Sequence, residues 1–218
     1  MKKILVTLAG VTAIVLAAGS AQAAYVETFD ADNASWLYGY GTNFASPQNN
    51  ATWIGSGGNS DGHISGDASN LYAIWTYTTA PYGDMTGLTM TIDTKVTGTP
   101  TGNAQFYIGR GGSYFVDGTW AIGSDTSWTT HSTAMTATEF TFWTQSINNT
   151  FSLAQVLAAP DDIGIFFGGV VTGGSGQVSV DNFGVSAVPL PGAALLFGSV
   201  LAGLGFTRRY KQRNSLVA

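Results

Sequence analysis

Leu71-Tyr72-Ala73-Ile74-Trp75-Thr76-Tyr77, closed by Ala80-Pro81-Tyr82-Gly83-Asp84, is the stretch whose reading decides the fold. A run this dense in aromatic and β-branched side chains, bounded by a Pro/Gly/Asp turn, favours a strand. The next run outward strengthens the case. Leu88, Met90 and Ile92 alternate with Thr89, Thr91 and Asp93, the period of a half-buried antiparallel strand. The same alternation returns in Phe106 and Ile108 against Gln105, Tyr107 and Gly109, and in Phe140 and Phe142 against Thr141 and Trp143. It returns again in Ile163, Ile165 and Phe167, and in Val178 and Val180. Only Ser152 to Ala158 reads helical, with Ser152 as its cap and Pro160 as its stop. Many short strands with one short helix predict an all-β chain whose residues 24–187 form a single antiparallel β-sandwich.

Charge narrows the partners of that sandwich. All thirteen Asp and Glu fall between Glu27 and Asp181, where only Lys95 and Arg110 oppose them, so residues 24–188 carry a formal charge of −11. A surface that acidic repels nucleic acid and anionic polymers and suits divalent cations. The chain has no cysteine, which excludes disulfides, thiolate metal sites and a Cys nucleophile.

The two ends carry the remaining charge. Lys2 and Lys3 precede an apolar run from Ile4 to Ala18, and Ala21-Gln22-Ala23 places small residues two apart. That is the pattern of a secretory signal peptide, residues 1–23, cut after Ala23 by signal peptidase. At the other end, Val188-Pro189-Leu190-Pro191 leads into an uncharged stretch to Phe206 and then Arg208-Arg209-Tyr210-Lys211-Gln212-Arg213. As a helix, Val188 to Phe206 would be roughly 28 Å long, enough to cross a hydrocarbon core. The basic cluster holds the C-terminus on the cytoplasmic side and leaves the sandwich outside.

Val188-Pro189-Leu190-Pro191-Gly192, the Gly-spaced apolar helix and Arg208-Arg209 resemble the PEP-CTERM sorting tail in its Val-Pro-Leu-Pro form. The resemblance covers residues 188–213 and implies processing by exosortase, transient residence in the inner membrane of a Gram-negative bacterium, and release to the cell surface or beyond. It further implies an envelope or biofilm rich in exopolysaccharide. Physically, Pro189 and Pro191 bar regular helix at the outer edge of the span and leave an extended peptide open to a protease. Leu190 stands where the parent motif has an acidic residue, so the contact made by that residue is not carried over.

The order of landmarks in the exported part is similar to laminin-B-type and carbohydrate-binding-module-like jelly rolls. These landmarks are the Gly-rich Trp53 to Ile64 segment, a helix after Phe151, and Val178-Ser179-Val180-Asp181-Asn182-Phe183 near the end. The resemblance implies a jelly-roll-like sandwich and a structural calcium between the first and last strands, with Glu27 and Asp181 as candidate ligands. Trp36 and Trp53, in an aromatic-rich segment with Tyr38, Tyr40 and Phe44, are candidate sugar-stacking residues, core packing being the other use of such rings.

No enzymatic constellation emerges. Gly55 to Asp67 holds glycines with Asp61, His63 and Asp67, but no strand-Gly-helix context follows, so it reads as a flexible loop and not as a phosphate cradle. His63 and His131 lack metal-ligand spacing. Asp161 and Asp162 follow Pro160 as a turn and are adjacent, which suits no glycosidase pair. The expectation is a non-catalytic exported protein with a structural or adhesive role at an exopolysaccharide-rich surface, the alternative being a carbohydrate-binding module with a defined glycan.

Overall fold

Period-two alternation places one side chain in two on a common face, and in the computed structural model that face is the interior of a two-sheet sandwich. The structure describes residues 25–40, 48–69, 71–79, 82–143, 148–167 and 175–187, within one compact unit ending at Ala187. The expected signal peptide (1–23) and sorting tail (188–213) lie outside the described residues.

The strands in chain order are β1 (Tyr25–Glu27), β2 (Leu37–Tyr40), β3 (Gln48–Asn50), β4 (Thr52–Ile54), β5 (His63–Asp67), β6 (Leu71–Tyr77) and β7 (Leu88–Gly98). They continue with β8 (Asn103–Arg110), β9 (Ser113–Ala121), β10 (Thr129–Ala134), β11 (Thr141–Phe142), β12 (Asp162–Phe167) and β13 (Gly176–Ala187). One sheet has the order β10-β7-β13-β5-β4 with β1 also on β13, and the other runs β11-β9-β8-β12-β6-β2-β3. Every pairing is antiparallel. The expected all-β, jelly-roll-like sandwich is the observed one, and its helix α1 (Leu153–Ala158) starts where expected. At that start the Ser152 backbone N–H donates to Gln155 Oε1 at 2.9 Å, and Val156 N–H donates to the Ser152 carbonyl at 3.0 Å.

The alternating residues meet between the sheets. Ile64, Met90, Ile92, Val178 and Val180 from one side face Ile74, Phe106, Ile108, Ile163, Ile165 and Phe167 from the other, all fully buried. Each such side chain contributes about 1.5–3 kcal/mol of burial. Tyr38 of β2 crosses the sandwich, where its ring covers Gly66 and its hydroxyl donates to the Val178 carbonyl at 3.2 Å. A Cβ on Gly66 would stand 2.1 Å from that ring, so this position admits no side chain. β13 changes partners midway. Val180 opposes Ile64 of β5, a bulge at Asn182 (φ 47°) follows, and Phe183 then opposes Glu27 of β1.

One expectation is refined and one corrected. Phe142 keeps the expected alternation, opposing Phe115 on the inner face while Trp143 joins the outer cluster, but on edge strand β11 it stays 38% exposed. The strand there is only two residues long, and the Trp143 backbone N–H donates to the Tyr114 carbonyl at 3.0 Å, which turns its indole onto the outer face of the seven-stranded sheet. The Gly55–Asp67 segment is not a free loop. His63 to Asp67 are strand β5, and Gly55 to Asp61 are tied down by the contacts described below.

Candidate functional site

The outer face of the seven-stranded sheet carries the complementary set of the same alternation. Trp75, Gly164, Tyr107 and Val116 are successive cross-strand partners, and Tyr77, Asp162, Gly109 and Tyr114 form the next row. Rings fill the centre of this face. Trp143 packs on Phe166 (4.7 Å between centroids), Tyr72 (5.9 Å) and Tyr114 (6.2 Å), and all four are buried with Trp75, Tyr107 and Val116. The Trp75 ring lies across β2, where a Cβ on Gly39 would be 2.7 Å from it.

Toward the β2–β3 edge the face opens into a groove of about 450 Å³ lined by Ser35, Leu37, Asn50, Tyr77, Thr78 and Thr79. The sheet register assembles it, because Leu37 is the partner of both Asn50 and Trp75, one step from Tyr77. Tyr77 is 58% exposed. The lining thus offers an aromatic face, an amide and hydroxyls, with no charged side chain. Its size falls within the range of small-molecule sites. Chemically it suits a neutral polyol, whose hydroxyls exchange water hydrogen bonds for protein ones while its C–H face covers the ring.

Asp162 stands beside this groove as the cross-strand partner of Tyr77, and Tyr114 Oη donates to its Oδ2 at 3.4 Å. Burial pushes its carboxyl up to about 7, Asp161 adds to the rise, and the Tyr114 hydrogen bond opposes it. Because the folded state holds the proton more tightly than the unfolded chain, stability falls as pH rises from about 4 to about 7 and is flat above. Asp162→Asn should therefore be more stable than the parent by about 2–4 kcal/mol at pH ~8 and show no gain at pH ~4. Denaturant unfolding at the two pH values checks this, and an equal effect at both would contradict it.

The opposite, six-stranded sheet holds the residues singled out for metal. Pairing of β1 with β13 does bring the first strand to the last, with Glu27 opposite Phe183. Asp181 is fully buried, and its Oδ2 accepts the Asn59 N–H at 2.6 Å and its Oδ1 the Asn182 N–H at 2.7 Å. Burial raises its pKa against the pull of backbone N–H groups from Asn59, Asn182 and Ser60, and Asp93 adds to the rise. Asp93, its cross-strand partner, accepts from Asn59 Nδ2 at 2.6 Å and Asn182 Nδ2 at 2.9 Å. Glu27 Oε1 instead accepts the Phe29 N–H at 3.1 Å. Among the described residues no group of three or more His, Cys, Asp or Glu converges as a metal site. In this structure Asp181 and Asp93 anchor a loop. Asp181 and Asp93 bind Asn59, Trp128 Nε1 donates to the Gly57 carbonyl at 3.1 Å, and the Gly-rich loop is pinned to the sheet.

The two candidate tryptophans part company. Trp36 is fully buried, with Phe29 (5.4 Å) and Phe183 (4.9 Å) edge-on to it, so no sugar reaches its ring and the core use prevails. Left-handed Ala34 (φ 47°) and Ser35 (φ 63°) turn it inward, helped by Asp32 and Asn33 side chains that accept the Ala34 and Ser35 N–H groups. Trp53 is 41% exposed on edge strand β4, and its Nε1 donates to the Phe29 carbonyl at 2.7 Å, well away from the groove's lining. The histidines stay apart. His63 meets the edge of Trp128 (5.5 Å), and His131 Nε2 pairs with Asp125 Oδ2 at 2.9 Å while stacking on Trp120 (4.2 Å). Asp161 accepts the Gly111 N–H at 3.1 Å, outside any carboxylate pair across a groove. The groove residues went unread in the sequence, although strict period two from Ala73 and Trp75 puts Tyr77 on the outer face.

No protein-family model matches this sequence, and no curated protein does. Solved structures do share the fold. A family 11 carbohydrate-binding module from Clostridium thermocellum, solved in complex with a β-1,3-1,4-mixed-linked tetrasaccharide, superposes with a TM-score of 0.51 at 17% identity, over 76% of this chain and 96% of the module. The L4b domain of human laminin α-2 superposes with a TM-score of 0.51 at 9% identity, over 77% of this chain and 98% of that domain. At such identities the likeness is one of fold, and it joins the two groups whose landmarks the sequence resembled.

Proposed function

We propose that the chain is an exported, non-catalytic glycan-binding protein whose ligand lies in the groove walled by Tyr77. The observation that carries this is the lining itself, an exposed aromatic face beside Ser35, Asn50, Thr78 and Thr79 on a sheet face otherwise closed by packed rings. The fold it shares with a module solved around a mixed-linked tetrasaccharide supports the reading and supplies the first ligand to try. Signal peptidase would cut after Ala23, and exosortase would process the Val188-Pro189-Leu190-Pro191 tail after the span had held the protein in the inner membrane. The structural or adhesive role expected at an exopolysaccharide-rich surface follows from glycan binding as its means.

Calorimetric titration of residues 24–187, which contain both sheets and the whole core, with that tetrasaccharide and the hits of a glycan array tests the proposal. Saturable binding is expected, weakened about tenfold or more by Tyr77→Ala with the unfolding midpoint unchanged. Absence of saturable binding to any glycan overturns it. Deleting residues 188–218 should abolish sorting, and unchanged processing and surface display would contradict the tail's role.

A further inference from the structure

Asp162 presents a carboxylate at the Tyr77 side of the groove with no cation supplied to it by the domain. The two basic residues of the exported part are engaged elsewhere. Lys95 lies over the Trp128 ring on the other sheet, 5.8 Å from its centroid. Arg110 is nearer in the fold, yet its guanidinium covers Phe151 at 4.7 Å and donates to the Gln155 carbonyl at 3.1 Å. Among the described residues the one ion pair is His131 with Asp125. A carboxylate withdrawn from water without a counter-ion is a standing cost, and it is the kind of group a ligand of opposite charge relieves. Tyr114 engages Oδ2, and Oδ1 faces no described donor.

We infer that the glycan is an amino sugar with a free amine, its ring on Tyr77 and its ammonium against Asp162. This rests on the groove being the glycan site. The ammonium brings three donors to a carboxylate that has one phenol partner, and a charge-assisted pair in a partly desolvated site is stronger than a neutral hydrogen bond. N-acetylation removes that charge and adds bulk at the same atom. Acidic sugars are turned away twice, by Asp162 and by the formal charge of −11 over residues 24–188. The same field draws a polycationic glycan toward the protein, so attraction and local pairing must be separated by experiment.

The probes are a glucosamine tetramer, its fully N-acetylated counterpart and the neutral mixed-linked tetrasaccharide, titrated into residues 24–187 at pH ~7.5, above the point where Asp162 ionises and below an ordinary amine pKa. The glucosamine tetramer should bind about tenfold or more tighter than the N-acetylated one. Asp162→Asn, close to isosteric with the carboxyl, should erase that preference while leaving the circular dichroism spectrum unchanged. Tyr77→Ala should weaken both tetramers. If the preference survives Asp162→Asn and disappears in about 0.5 M salt, it comes from the surface field alone and the inference is overturned. If the neutral or acetylated glycans bind as well as the free amine, the inference fails and the groove reading stands. If no glycan binds, both fail.

Discussion

Trp36→Ala is expected to cost the domain about 3–5 kcal/mol, enough to unfold a marginal sandwich near physiological temperature. The indole is fully buried, edge-on to Phe29 and Phe183, and its Nε1 donates to Tyr25 Oη at 3.4 Å. Its removal leaves a cavity beneath the β1–β13 pairing. That cavity cannot collapse easily, because Trp36 is also tied by backbone, its N–H to Asn33 and its carbonyl from Ala51, both at 2.8 Å. Loss of glycan binding in this variant should follow the loss of fold. Chemical denaturation reads the effect, and a change under about 1 kcal/mol would mean that the ring is not in the core.

Asp181→Ala is the second large change, expected to lower stability by about 2–4 kcal/mol and to release the Gly55–Asp61 loop. The carboxylate is the acceptor for the backbone N–H of Asn182 at the β13 bulge and of Asn59 in the loop, and at a fully buried site those donors find no ready substitute. Amide hydrogen exchange at Asn59 should accelerate sharply in the variant while exchange in β6 and β12 changes only with global stability. Unchanged protection at Asn59 would show that the Asp93–Asn59 and Trp128–Gly57 contacts suffice to hold the loop.

These two residues show where the sequence was legible. The alternations at Leu88-Met90-Ile92, Ile163-Ile165-Phe167 and Val178-Val180 announced both their strands and their buried faces, because period two is a local property. Trp36 was ambiguous for a local reason as well. The left-handed pair Ala34–Ser35 breaks the alternation just before it, so neighbouring residues give no hint of which way the ring points. The anchoring role of Asp181 was hidden for the opposite reason. Its partner Asn59 lies 122 residues away, and no spacing rule distinguishes a carboxylate that will hold a loop from one that will hold an ion. The groove was hidden in the same manner, since Ser35, Leu37, Asn50 and Tyr77–Thr79 come from separate segments joined only by the β3-β2-β6 register. Tyr77 alone carried a readable sign, an aromatic at the end of a buried strand with Thr78 and Thr79 behind it.

The central claim is that this neutral, aromatic-walled groove is the place where the domain meets a glycan. Backbone amide shifts of residues 24–187 recorded while the tightest-binding oligosaccharide is added test it most directly. The account predicts saturable shifts at Leu37, Asn50, Tyr77, Thr78 and Thr79, with Ser65, Lys95 and Ser179 on the opposite sheet unmoved. Saturable shifts centred on that opposite sheet, or around Trp53, with the groove amides silent, would contradict it.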